Sequence, residues 1–103
     1  MRGPAPAALI ERALHASAAQ RRLSVTIEPM GSAPWYSATF AGERHAMTLT
    51  TPAGDAAREW LSRVEDVDVA LPGSLLAGLS VTGAREQDGQ WQARIEAVTV
   101  DRA

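Results

Sequence analysis

The sequence predicts an α+β domain in which a five-stranded, mainly antiparallel sheet carries two helices on one face, in the order α-β-β-β-α-β-β. Three observations predict it. Apolar residues recur at helical spacing in two segments, they alternate with polar residues in the others, and glycine- and proline-bearing turns separate the runs. At 103 residues the chain suits a single domain over 1–103, with residues 1–6 flexible.

Pro4 and Pro6 hold the first residues extended, and a helix starts near Ala7 and runs to about Arg21. Its apolar stripe, Leu9, Ile10, Ala13, Leu14 and Ser17, is narrow and rich in alanine, so the helix needs a partner to pack on. Leu23, Val25 and Ile27 then alternate with Ser24, Thr26 and Glu28 as in a half-buried strand. Pro29, Gly31 and Pro34 break that pattern.

Residues 34–51 read as a hairpin turning at Gly42-Glu43, because a Gly-X pair suits a type II′ turn. That register sets Phe40 against His45, Ala38 against Met47 and Tyr36 against Leu49 on one inward face. The other face carries Trp35, Ser37, Thr39 and Ala41 across from Thr50, Thr48, Ala46 and Arg44, and is short of charge for a wet surface. With the preceding strand, the hairpin makes a three-stranded meander.

Thr51-Pro52, or Gly54 followed by Asp55, opens a second helix that ends near Asp66. Ala57, Trp60, Leu61 and Val64 form its buried side, and Glu59 pairs with Arg63 one turn on. Val67, Val69 and Leu71 alternate along an extended connector, and Leu71-Pro72-Gly73-Ser74 matches a type II turn. A second hairpin covers 76–100. A three-residue loop, Gln87-Asp88-Gly89, aligns Val81 with Ile95, Gly83 with Ala93 and Leu79 with Ala97, and sets Trp91 against Arg85. Val98 and Val100 are out of phase with it, which requires a bulge near Ala97 or a change of buried face.

Composition narrows the function. The chain has no cysteine, which excludes disulfides and thiolate chemistry. All ten basic residues are arginine, the net charge is −2, and no block of like charge occurs, which argues against a nucleic-acid footprint or a polybasic membrane patch. The lysine-free, alanine-rich usage reflects genome composition. Glu11 and Arg12 interrupt the first apolar run, so neither a signal peptide nor a membrane span is expected and the cytoplasm is the default location. No repeat period of 20–50 residues is visible.

Candidate chemistry is sparse. His15 stands one helical turn from Glu11, a metal-capable spacing without further ligands, and reads as part of a solvated pair. His45 reads as a packed, hydrogen-bonded histidine rather than a general base. Asp66 and Asp68 point the same way on an extended chain and read as solvated connector charges. Gly73-Ser74 lacks the second glycine of a nucleophile elbow, and 78–83 lacks the lysine of a phosphate loop. Trp35 and Tyr36 point to opposite faces as strand neighbours, so only Trp35 is free to stack on a ligand. No catalytic set, metal site or cofactor is expected.

The order helix, three strands, helix resembles that of double-stranded-RNA-binding domains, which clamp phosphates with basic residues at the start of the second helix. Here that place reads Pro52-Ala53-Gly54-Asp55-Ala56-Ala57-Arg58, with one arginine and one aspartate, so the phosphate-binding chemistry is missing. With two further strands the order is similar to class I secretion chaperones, small acidic homodimers that bind an unfolded effector segment, a likeness of element order alone. The expectation is a non-catalytic interaction or assembly module, forming a homodimer or binding a protein partner through Trp35, Ser37, Thr39, Ala46, Thr48 and Thr50. The alternatives are a small-molecule binder or minor enzyme with a pocket near His45 and Tyr36, and nucleic-acid binding.

Overall fold

Two helix-and-hairpin units build the structure, a computed structural model that describes residues 5–102. The extended start expected at residues 1–4 lies outside the described residues. The first unit is α1 (Pro6–Gln20), β1 (Thr26–Tyr36) and β2 (Ala41–Pro52). The second is α2 (Asp55–Ser62), a 3-10 turn at Val64–Asp66, β3 (Ser74–Gln87) and β4 (Gln90–Asp101). The antiparallel sheet has four strands, not the expected five, in the spatial order β1-β2-β4-β3. The element order is therefore α-β-β-α-β-β, which removes the likeness to double-stranded-RNA-binding domains and to secretion chaperones.

The missing strand is absorbed into β1. Residues 29–34 do not break the chain; they bulge it, with Met30 as the extra residue between Pro29, paired with Met47, and Gly31, paired with Ala46. Both prolines are tolerated because β1 is an edge strand, where an amide that faces away from the sheet needs no partner. The turn consequently moves from Gly42-Glu43 to 37–40. There Ser37 closes the loop twice, its N–H donating to the Phe40 carbonyl at 2.8 Å and its Oγ accepting from the Phe40 N–H at 3.0 Å. Gly42 lies inside β2 instead, opposite Trp35. A Cβ there would collide with the Thr99 carbonyl, so this glycine serves close approach of backbones rather than a turn.

This register corrects the inward face. His45, Met47 and Leu49 do point into the core, but their β1 partners are Ser32, Pro29 and Ile27. Tyr36 and Phe40, expected inside, are 77% and 60% exposed.

One core joins both helices to one face of the sheet. Ile10, Leu14 and Ala18 of α1, Trp60 and Leu61 of α2, and Val64 pack on Met47, Leu49, Leu79, Ala93, Ile95 and Ala97. Every second residue of β2 and β4 thus points at the helices, as alternation demands. The Trp60 indole N–H donates to Ser17 Oγ at 3.0 Å, which ties the two helices together. Glu59 meets Arg21 of α1 at 3.5 Å rather than Arg63, an exposed pair of little energetic weight. α1 ends in a Schellman motif: Leu23 N–H donates to the Ala18 carbonyl and Arg22 N–H to that of Ala19, with Arg22 at φ +58.

The second hairpin turns on two residues, not on the expected three-residue loop Gln87-Asp88-Gly89. Asp88 and Gly89 both have positive φ, as in a two-residue type I′ turn, and Gln87 pairs with Gln90. Gly83 therefore meets Arg94, not Ala93, and Glu86 rather than Arg85 lies opposite Trp91. A bulge at Thr82 then restores the expected pairs Val81 with Ile95 and Leu79 with Ala97. The irregularity expected near Ala97 lies across the ladder, on β3 at Ala77, between Leu76 and Gly78.

The bulges expose a repeat of architecture that the sequence conceals. Met47 and Ile95 pair at the centre of the sheet, and each is flanked by a bulge on its outer strand, Pro29/Gly31 and Val81/Gly83. The two units are thus related by an approximate two-fold axis through that pair, with a glycine after the extra residue in both.

Candidate functional site

The helices cover only one side of the sheet, and the uncovered side is the surface on which function can be built. Its character follows from the register. Trp35, Gly42, Val100 and Leu75 form a row across all four strands at one end. The next row is Ala33, Arg44, Val98 and Gly78, followed by Gly31, Ala46, Glu96 and Ser80, then Glu28, Thr48, Arg94 and Gly83. The end row is apolar and the middle is charged. Val98 and Val100, the two residues out of phase in sequence, are the β4 part of that apolar end.

Trp35 is held in place from beneath. Its indole crosses Gly42, and Nε1–H donates to the Thr99 carbonyl of β4 at 3.2 Å. With Phe40, Leu75 and Val100 it encloses a shallow cleft of about 320 Å³, almost wholly apolar. Leu75 is 51% exposed, an apolar side chain left in water beside the open ring of Phe40. Of the expected contact residues, Trp35, Ala46, Thr48 and Thr50 lie on this open face, while Ser37 and Thr39 lie in the adjoining 37–40 loop. The sequence places Val100 at the end of the second hairpin and leaves Leu75 just before its start; the β3 register, with its bulge at Ala77, sets both on the open face.

His45 belongs to the opposite, helix-covered face and is buried. Its Nδ1 lies 2.7 Å from Ser32 Oγ and its Nε2 lies 3.4 Å from Thr99 Oγ1, which in turn donates to the Glu43 carbonyl. A neutral ring satisfies this chain in one direction, Ser32 to Nδ1 and Nε2–H to Thr99. Burial pushes the His45 pKa below its ordinary value of 6.5, and the Glu43 carboxylate pulls it the other way. A serine beside a neutral histidine has two parts of a nucleophilic site. The orienting partner, however, is a hydroxyl rather than a carboxylate, and neither His45 nor Tyr36 lines the clefts at Trp35, at Trp60, at Leu71 or at Asp66. The cluster instead links β1, β2 and β4. No buried side-chain nitrogen or oxygen among the described residues lacks a hydrogen-bond partner.

A polar cleft of about 520 Å³ lies between the helices, floored by Trp60 and walled by Arg21, Arg63 and Asp66. Among the described residues no group of three His, Cys, Asp or Glu side chains could hold a metal ion. No helix among them is long and apolar enough to cross a membrane. The chain matches no protein-family model and no curated protein sequence.

Proposed function

We propose that this chain is a non-catalytic protein-interaction module that binds its partner at the apolar end of the open sheet face. The observation that carries the reading is the apolar cleft on the side without helices, where Phe40 and Leu75 are exposed beside half-buried Trp35 and Val100. Arg44, Glu96, Arg94 and Glu28 occupy the middle of the face, and stripping water from four charges costs more than two flat sheets recover. Contact is therefore concentrated at the end row, with Ala33 and Val98 of the adjacent row at its rim, while Ala46, Thr48 and Thr50 lie farther along β2. The cysteine-free composition is in keeping with a reducing compartment such as the cytoplasm.

A photo-reactive residue installed at Ala33 or at Val98, with one at His15 on the solvent side of α1 as control, tests this in native lysate. Discrete adducts from positions 33 and 98 but not from 15 support the reading. Equal labelling from all three, or none, overturns it.

A further inference from the structure

The cleft at Trp35 adjoins two others at the start of β3. A second cleft of about 400 Å³, which includes Leu71, Pro72 and Arg102, and a third of about 520 Å³ both share Leu75 and Leu76 with it. The third is bounded on one side by Glu65, Asp66 and Asp68, and on the other by Leu75 to Leu79, five consecutive residues of β3. Consecutive residues line a wall only where the strand presents its backbone edge, and β3 is an outer strand of the sheet. The two edges differ. β1 is blunted by Pro29 and Pro34, whereas β3 carries no proline from Ser74 to Gln87, its irregularities being the bulges at Ala77 and Thr82.

We propose that this edge receives an extended segment of a partner protein, added as a fifth strand beside β3, in which apolar and basic side chains alternate. The inference rests on the interaction-module reading and names the kind of partner. Strand addition draws affinity from main-chain hydrogen bonds and specificity from alternate side chains. In a strand laid along β3, every second side chain points to the open face, where Leu75 and the cleft of Trp35 and Phe40 take apolar groups. The intervening ones point to the helix side, where the three carboxylates select Arg or Lys. Arg102 lies at the Ser74 end of β3, so the basic preference is strongest toward Leu79. A helix about 10 Å across presents no backbone donors to this edge, and a second copy would bring an edge that carries Leu75 and Ala77 but no alternating cations.

The probe is a capped synthetic peptide of about eight residues, valine and leucine alternating with arginine, compared with its glutamate counterpart and with a version N-methylated at every second amide. Titration with the intact chain should show saturable binding of the arginine peptide. Affinity should fall at least about tenfold for the glutamate peptide, for the N-methylated one, and for Asp66→Lys with Asp68→Lys, and should weaken as salt rises. Leu75→Glu, at an exposed position the fold does not need, should have the same effect. Equal binding of the N-methylated peptide overturns strand addition, and equal binding of the glutamate peptide overturns the charge assignment. Sedimentation of the purified chain as a dimer with β3 protected from exchange would assign the edge to a second copy. Failure of the arginine peptide while the adducts at Ala33 and Val98 persist sinks this inference alone; loss of both sinks the module reading too.

Discussion

Trp35 and Gly42 face each other across the β1–β2 ladder, and the indole of the one fills the space that the other leaves empty. A Cβ on Gly42 would lie 3.0 Å from Trp35 Nε1 and would collide with the Thr99 carbonyl. Backbone cannot give way there as a flexible side chain would. Gly42→Ala should therefore destabilise the fold by about 1–3 kcal/mol, as overpacking does elsewhere, read as a lower urea midpoint with an unchanged slope.

The buried His45 makes stability depend on pH with a defined sign. Its folded pKa lies below 6.5, so between the folded and the unfolded value the unfolded chain binds more protons. Stability from this group is complete above about 6.5 and declines as pH falls toward the depressed folded value. Unfolding free energies measured between neutral and mildly acidic pH should show that decline, and His45→Gln should flatten it. A slope unchanged in the variant would assign the effect elsewhere.

Arg22 closes α1 in the left-handed region at φ +58, where glycine is the least strained residue. Arg22→Gly should raise stability by about 1 kcal/mol, since a left-handed turn costs an L-residue roughly 1–2 kcal/mol. Thermal melts of the two chains check this. A melting temperature that does not rise would mean that the arginine side chain contributes as much as its backbone costs.

Arg58 of α2 lies 5.8 Å from the ring of Trp91, near the tip of the second hairpin. Arg85, expected there from the three-residue loop, bonds Gln92 at 3.4 Å instead. Arg58→Ala should cost about 0.5–1 kcal/mol, and Arg85→Ala should be close to neutral in the same denaturation assay. The reverse order would mean that the guanidinium at 58 contributes nothing to the tip.

The helices and the two inner strands were legible because their periods are uninterrupted. Ala57, Trp60, Leu61 and Val64 are buried as their spacing requires, and so are Met47 and Leu49. The turn at Leu71-Pro72-Gly73-Ser74 also forms, with Gly73 at φ +78 and Ser74 N–H donating to the Leu71 carbonyl. The outer strands misled, for one reason in both cases. A bulge inserts one residue, so Met30 and Thr82 each reverse the sense of alternation partway along a strand, and a reader expecting an unbroken period inserts a turn or a different loop. Gly42 compounded this, since a glycine reads alike in sequence whether it serves a turn or a close approach. The open face was half legible. Trp35, Ala46, Thr48 and Thr50 were placed on it, but its apolar end depends on Leu75 and Val100, brought beside Trp35 only by the β1-β2-β4-β3 order.

The three indoles stand in three different settings: Trp35 over the open face, Trp60 in α2 against Ser17, and Trp91 at the edge of the core beside Arg58 near the hairpin tip. Chains retaining one tryptophan each would therefore fluoresce from three distinct surroundings. Quenching confined to the Trp35 chain would locate a bound molecule without labels, while the emission of the Trp60 chain would report whether the interior had stayed shut.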